Sequence, residues 1–140
     1  MGSDHIVHGY NLARGLCHLG RTLFLQGDVA QAKQLFSEAL GVMQAERLAG
    51  HTLADCLDWL ATLADSDGGP REAAVFFGAA EAQWHATGAV RYAPEPAAYA
   101  GELARVQEEL AAAEFAAAWA EGHAMSREQA IKYALEICRG

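Results

Sequence analysis

The residues able to do chemistry are few, and their spacing does not bring them together. Six histidines, His5, His8, His18, His51, His85 and His123, are scattered over 140 residues, and none falls in an H-E-x-x-H pattern or beside a C-x-x-C pair. A zinc site needs such clustering, because the ion draws three or four ligands from one small volume. His5 and His8 are three residues apart but sit at the start of the chain, where fraying is expected. Cys17 adjoins His18, yet neighbouring helical positions point about 100° apart and cannot serve as a nucleophile and its base. Cys17, Cys56 and Cys138 are an odd number without ligand spacing. They fit reduced thiols of a cytoplasmic protein, not a disulfide framework.

Phosphate and acyl chemistry fare no better. The chain holds no G-x-x-x-x-G-K-S/T or G-x-G-x-x-G loop and no G-x-S-x-G elbow. The stretch "DSDGGPRE" sets acidic residues beside glycines, but it lacks the alternating oxygen ligands and closing glutamate of a calcium loop. It reads as a capped turn. The expectation is a protein without catalytic constellation, metal or cofactor, hence not an enzyme.

What remains is architecture. Half of the residues are hydrophobic, and charges are interspersed among them, which suits one folded domain over residues 1–140. Ala, Leu, Glu, Gln and Arg prevail over Val, Ile and Thr, so the composition is that of an all-α protein. The formal net charge is −8, with no basic cluster. Direct nucleic-acid binding and attachment to an anionic membrane are therefore not expected. No apolar run approaches the roughly 20 residues that span a bilayer. The opening "MGSDHIVHGY" has neither the basic nor the apolar region of a signal peptide.

A repeat organises the first two thirds. Leu19 and Leu60, Gly20 and Ala61, Gly27 and Gly68, Ala32 and Ala73, Phe36 and Phe77, and Ala39 and Ala80 all stand 41 residues apart. In each unit, apolar residues at three- and four-residue spacing form a first helix. A glycine ends it, and Ala-Phe-Ala then lines the inner face of a second. Gly20 is small where the helices approach; Asp28 caps the second helix with Gln31, and Pro70 begins its counterpart. Gly50 and Thr52 are expected to end one helix and cap the next. The units span about 13–46 and 54–87.

The last third, about 95–138, lacks the repeat. Pro94 and Pro96 open a helix from about Pro96 to Leu110, and a second runs from about Ala112 to Glu121, closed by Gly122. Ser126 with Gln129 caps a last one through Ile131, Leu135 and Cys138. Such helices suit a cap over the open end of a stack. Phe36, Phe77, Phe115 and Trp119 are expected in the core. Trp59 and Trp84 are expected to be partly exposed, as anchors for a partner or plugs between helix pairs.

Leu16, Leu19, Gly20, Leu23, Gly27, Ala32, Phe36 and Ala39, followed by Leu57, Leu60, Ala61, Ala64, Ala73, Phe77 and Ala80, resemble the tetratricopeptide pattern. The period exceeds that family's usual 34, the closing proline is missing, and leucine replaces its tryptophan. More specifically, "AAVFFGAAEAQWHATGA" followed by "FAAAWAEGHAMSREQAI" is similar to the C-terminal region of large bacterial signal-transduction ATPases and LuxR- or SARP-type transcriptional regulators. The likeness covers about residues 13–137, without the ATPase or the DNA-binding domain. It implies a tetratricopeptide-like superhelix of about seven helices and a regulatory or protein-interaction role.

In such stacks the first helices line a groove. By the resemblance, its residues here are Arg14, Cys17, Arg21 and Phe24 on a basic wall, and Asp55, Asp58, Thr62 and Asp65 on an acidic one. These charges orient an extended peptide or a helix, or they pair with one another across the wall. A protein or peptide partner is the leading expectation. A small-molecule effector held between the helix pairs and the C-terminal cap is one alternative, and a self-associating homodimer the other.

Overall fold

The computed structural model describes residues 2–46, 51–88 and 96–139, and within them the side chains of all but residues 2–8, 10 and 96–98. These residues form seven α-helices and no strand: α1 (Gly2–Leu25), α2 (Val29–Glu46), α3 (Thr52–Ser66), α4 (Pro70–Thr87), α5 (Pro96–Glu109), α6 (Ala112–His123) and α7 (Arg127–Arg139). The all-α expectation holds. His5 and His8 lie within α1, not in a frayed end.

Two turns of the same construction set the two helix pairs. Gly27 takes φ +90° and Gly68 φ +82°, a region that side chains disfavour and glycine does not. The amide of Gly27 donates to Phe24 O and that of Asp28 to Leu23 O; 41 residues on, Gly68 donates to Asp65 O and Gly69 to Ala64 O. This double bond pattern satisfies carbonyls that a helix end leaves open. Asp28 Oδ1 then accepts from the Gln31 amide at 3.1 Å and starts α2, while Pro70 starts α4.

Small residues bring the helices of each pair together. A methyl group on Gly20 would lie 3.2 Å from the Phe36 ring, so this glycine seats the aromatic of α2 against α1. Ala32, Phe36 and Ala39, like Ala73, Phe77 and Ala80, are wholly buried. Cys17 of α1 and Cys56 of α3 are both buried in the core that the pairs share.

Of the last three helices, α5 and α6 lie against α4, whereas α7 turns back to the first pair. α6 lies across α4 at backbone distance: a side chain on Gly78 would strike the Trp119 carbonyl, and one on Gly122 the Val75 carbonyl. Gly122 therefore does not close α6, which continues to His123; its role is the crossing. α7 returns to the first pair, where Arg127 Nη2 donates to Met43 O at 3.2 Å. Its Tyr133 meets Phe76 edge-on at 5.2 Å. Ser126 and Gln129 exchange both bonds of a capping box. Thr52 fails as a cap: His51 holds that position without a side-chain capping bond to the helix, and the Thr52 hydroxyl is buried without a partner. Gly50 lies outside the described residues. No helix among the described residues is long and apolar enough to cross a membrane.

Candidate functional site

A half-open cavity of about 370 Å³ lies where α1, α3 and α5 meet, lined by Phe24, Leu25, Trp59, Thr62, Gly101, Glu102 and Arg105. Each helix contributes differently. α1 ends in Phe24 and Leu25, which its glycine turn leaves at the rim. α3 supplies Trp59 and, three residues on, Thr62, whose hydroxyl is 3.4 Å from Asp58 O. α5 supplies a gap at Gly101, where a side chain would meet nothing within 4 Å, and the charges of Glu102 and Arg105.

Trp59 is the centre of the site. Phe24 meets it edge-on at 6.5 Å, and the Arg21 guanidinium carbon sits 5.5 Å from its ring centre. A cation over an indole at this range contributes about 0.5–1 kcal/mol and holds the ring. The indole N–H is nevertheless buried with no hydrogen-bond partner. One turn earlier, Asp55 Oδ1 is also buried without one. Burial lifts the Asp55 carboxyl to about 6, against the attraction of Arg21.

At the far end Arg105 forms a 3.3 Å ion pair with Glu102 and lies 3.9 Å from the buried carboxylate of Asp65. The nearby Asp65 raises the Glu109 carboxyl above its ordinary value. These contacts, with Tyr99 edge-on to Phe77 at 5.6 Å, hold α5 along the site.

The eight residues assigned to the groove separate into four groups. Phe24 and Thr62 line the cavity, and Arg21 and Asp55 flank Trp59. Cys17, Asp58 and Asp65 are buried, Cys17 against Cys56, Asp58 under the Trp84 indole, which donates to it at 2.9 Å, and Asp65 under α5. Arg14 is exposed on α1. The acidic wall is thus largely consumed inside the protein, because Asp58 and Asp65 fall on the side of α3 that meets α4 and α5. Trp84 is buried as well, contrary to the expected exposure, whereas Phe115 and Trp119 are only half-buried.

Leu25, Glu102 and Arg105 belong to the site and carry no repeat signal. Their placement depends on how α5 returns to α3. Among the described residues no cluster of histidine, cysteine and acidic groups could hold a metal ion. No family model, no curated protein and no solved structure matches the chain.

Proposed function

We propose that this chain is a non-enzymatic interaction module of a cytoplasmic regulatory protein, and that the α1–α3–α5 cleft takes an extended peptide segment of a protein partner. The observation that carries this reading is a buried acceptor and a buried donor on one face of α3, Asp55 Oδ1 and Trp59 Nε1, both lacking hydrogen bonds beside an apolar cavity. An unsatisfied buried polar group costs about 1–3 kcal/mol, which a ligand recovers by satisfying it. Four helical residues advance about 6 Å, close to the repeat of alternate residues in an extended chain, about 6.6 Å. A peptide N–H on Asp55 and a carbonyl on Trp59 therefore match one strand, with a large apolar side chain filling the cavity.

The likeness to tetratricopeptide-like tails of bacterial regulators supports the same reading, and a net charge of −8 disfavours nucleic acid as the direct ligand. A second reading has one observation in its favour. The cavity volume of about 370 Å³ falls within the range of small-molecule sites, about 300–1,000 Å³, and it lies between the helix pairs and α5.

Selection of short random peptides on the whole chain tests the proposal. Enriched peptides should share one large apolar residue. Their affinity should fall about 5- to 30-fold in Trp59→Phe, which keeps a ring and loses the donor, and also in the exposed variant Arg105→Glu. Peptides that bind both variants as well as the parent, or no enrichment at all, contradict it. A metabolite that raises the melting temperature where peptides fail favours the second reading.

A further inference from the structure

The basic side of α1 runs into the cleft. Arg14, His18, Arg21 and Leu25 recur at four-, three- and four-residue spacing, one line along the helix, and the last of them borders the cavity. Arg14 and His18 are exposed, and Arg21 is half-buried beside Trp59. Residues 9–25 include no Asp or Glu. Among the described residues neither Arg14 nor Arg21 forms an ion pair, whereas Lys33, Arg71 and Arg105 each hold a carboxylate, at 2.8, 2.7 and 3.3 Å. The cations crowd one another even in a chain of net charge −8: burial, then the charges of Arg21 and Arg14, lower the pKa of His18. α5, which also lines the cavity, carries Glu102, Glu108 and Glu109 against Arg105 alone. The cleft therefore has one wall of unmatched positive charge and one of surplus negative charge.

On the peptide reading of the cleft, on which this inference rests, we propose that the partner segment is acidic: its large apolar residue fills the cavity, and carboxylate side chains within about five residues of it, on one side, lie along α1 on Arg21, His18 and Arg14. The reach follows from the helix. From Leu25 to Arg14 α1 advances about 16 Å, the length of about five extended residues. An arginine fork gives a carboxylate two parallel N–H bonds. At an exposed rim such pairs act mainly on the rate of association and on which partner is accepted. The glutamates of α5 repel a segment laid with its carboxylates on their side, so charge also fixes how the segment lies.

Peptides selected on the whole chain separate this inference from the reading beneath it. They should share Asp or Glu within about five positions of the apolar residue, on one side of it. An apolar consensus with acidic residues no commoner than in the starting library leaves the peptide reading standing and overturns the inference; no enrichment takes away both. One enriched peptide is then made as selected and with Gln and Asn in place of its Glu and Asp. Arg14→Glu should weaken the acidic form about tenfold at about 50 mM salt and hardly at about 500 mM, and should leave the neutral form alone. Arg14→Lys should keep affinity within about threefold. Arg14 is exposed, so the unfolding midpoints of both variants should stay near that of the parent. In the parent chain, the imidazole signals of His18 give a readout that needs no substitution: saturating acidic peptide should raise the pKa of His18, and the neutral form should not. Equal binding of the two peptide forms overturns the proposal, as does a His18 titration that the acidic peptide leaves in place.

Discussion

The indole N–H of Trp84 donates to the Asp58 carboxylate at 2.9 Å, and both side chains are buried between α3 and α4. A carboxylate in that position is tolerated because it is hydrogen-bonded. Trp84→Phe removes this donor and should cost about 2 kcal/mol beyond the change in packing. Asp58→Asn, whose amide oxygen still accepts, should cost less. Urea unfolding of both variants checks the order.

The glycines of α4 and α6 should behave oppositely to a glycine in open space. Gly78→Ala and Gly122→Ala push a methyl into a carbonyl of the facing helix and should cost about 2 kcal/mol or more. Gly41 lies within α2 with nothing near its missing side chain. Gly41→Ala should stabilise by about 0.5–1 kcal/mol through the chain entropy that glycine loses in a helix. Thermal unfolding of the three variants separates close crossing from a mere preference for small residues.

How much of this is legible in the sequence depends on the range of the interaction. The turns at Gly27 and Gly68, the cap at Asp28 and the box of Ser126 with Gln129 are local, and each is readable from residues within one turn. Gly122 is not, because its partner, Val75, is distant in sequence; a glycine near a helix end and a glycine in a crossing look alike in one dimension. Asp58 and Asp65 depart from the expected groove for a related reason. Helical spacing tells which residues share a face of α3, but only the return of α5 and the reach of Trp84 decide which face is covered. Trp59 stands out by its size, whereas Arg105 and Glu102 have no signal that ties them to it.

Asp55 should make the protein less stable as pH rises. Its carboxyl is lifted from the ordinary 3.8 to about 6 by burial, so the folded state holds this proton more tightly than the unfolded state. Below about pH 4 both states are protonated and the group contributes nothing. Between about 4 and 6 stability falls, and above that the full difference persists, on the order of 3 kcal/mol. Asp55→Asn removes the titration and should stabilise by up to about 3 kcal/mol at pH 7.5, the attraction of Arg21 being already contained in the shift, and by little at pH 4. Denaturant midpoints at the two pH values decide it.

The three thiols should be inert in the folded protein. The neighbouring Cys17 and burial hold the Cys56 thiol well above its usual range, and burial pushes Cys138 up to about 11. Thiolate is the reactive form. An aromatic disulfide reagent at pH 8 should therefore release little chromophore until denaturant is added, and then all three equivalents should appear. Fast release from the native chain would show that the α1–α3 contact opens.

The peptide reading of the cleft meets its most direct test at one proton. With the indole nitrogens labelled, the Trp59 N–H resonance should move downfield as a selected peptide is added, because that donor acquires an acceptor, while the Trp84 N–H, already bonded to Asp58, should stay in place. A peptide that binds with the Trp59 signal unmoved would contradict the account.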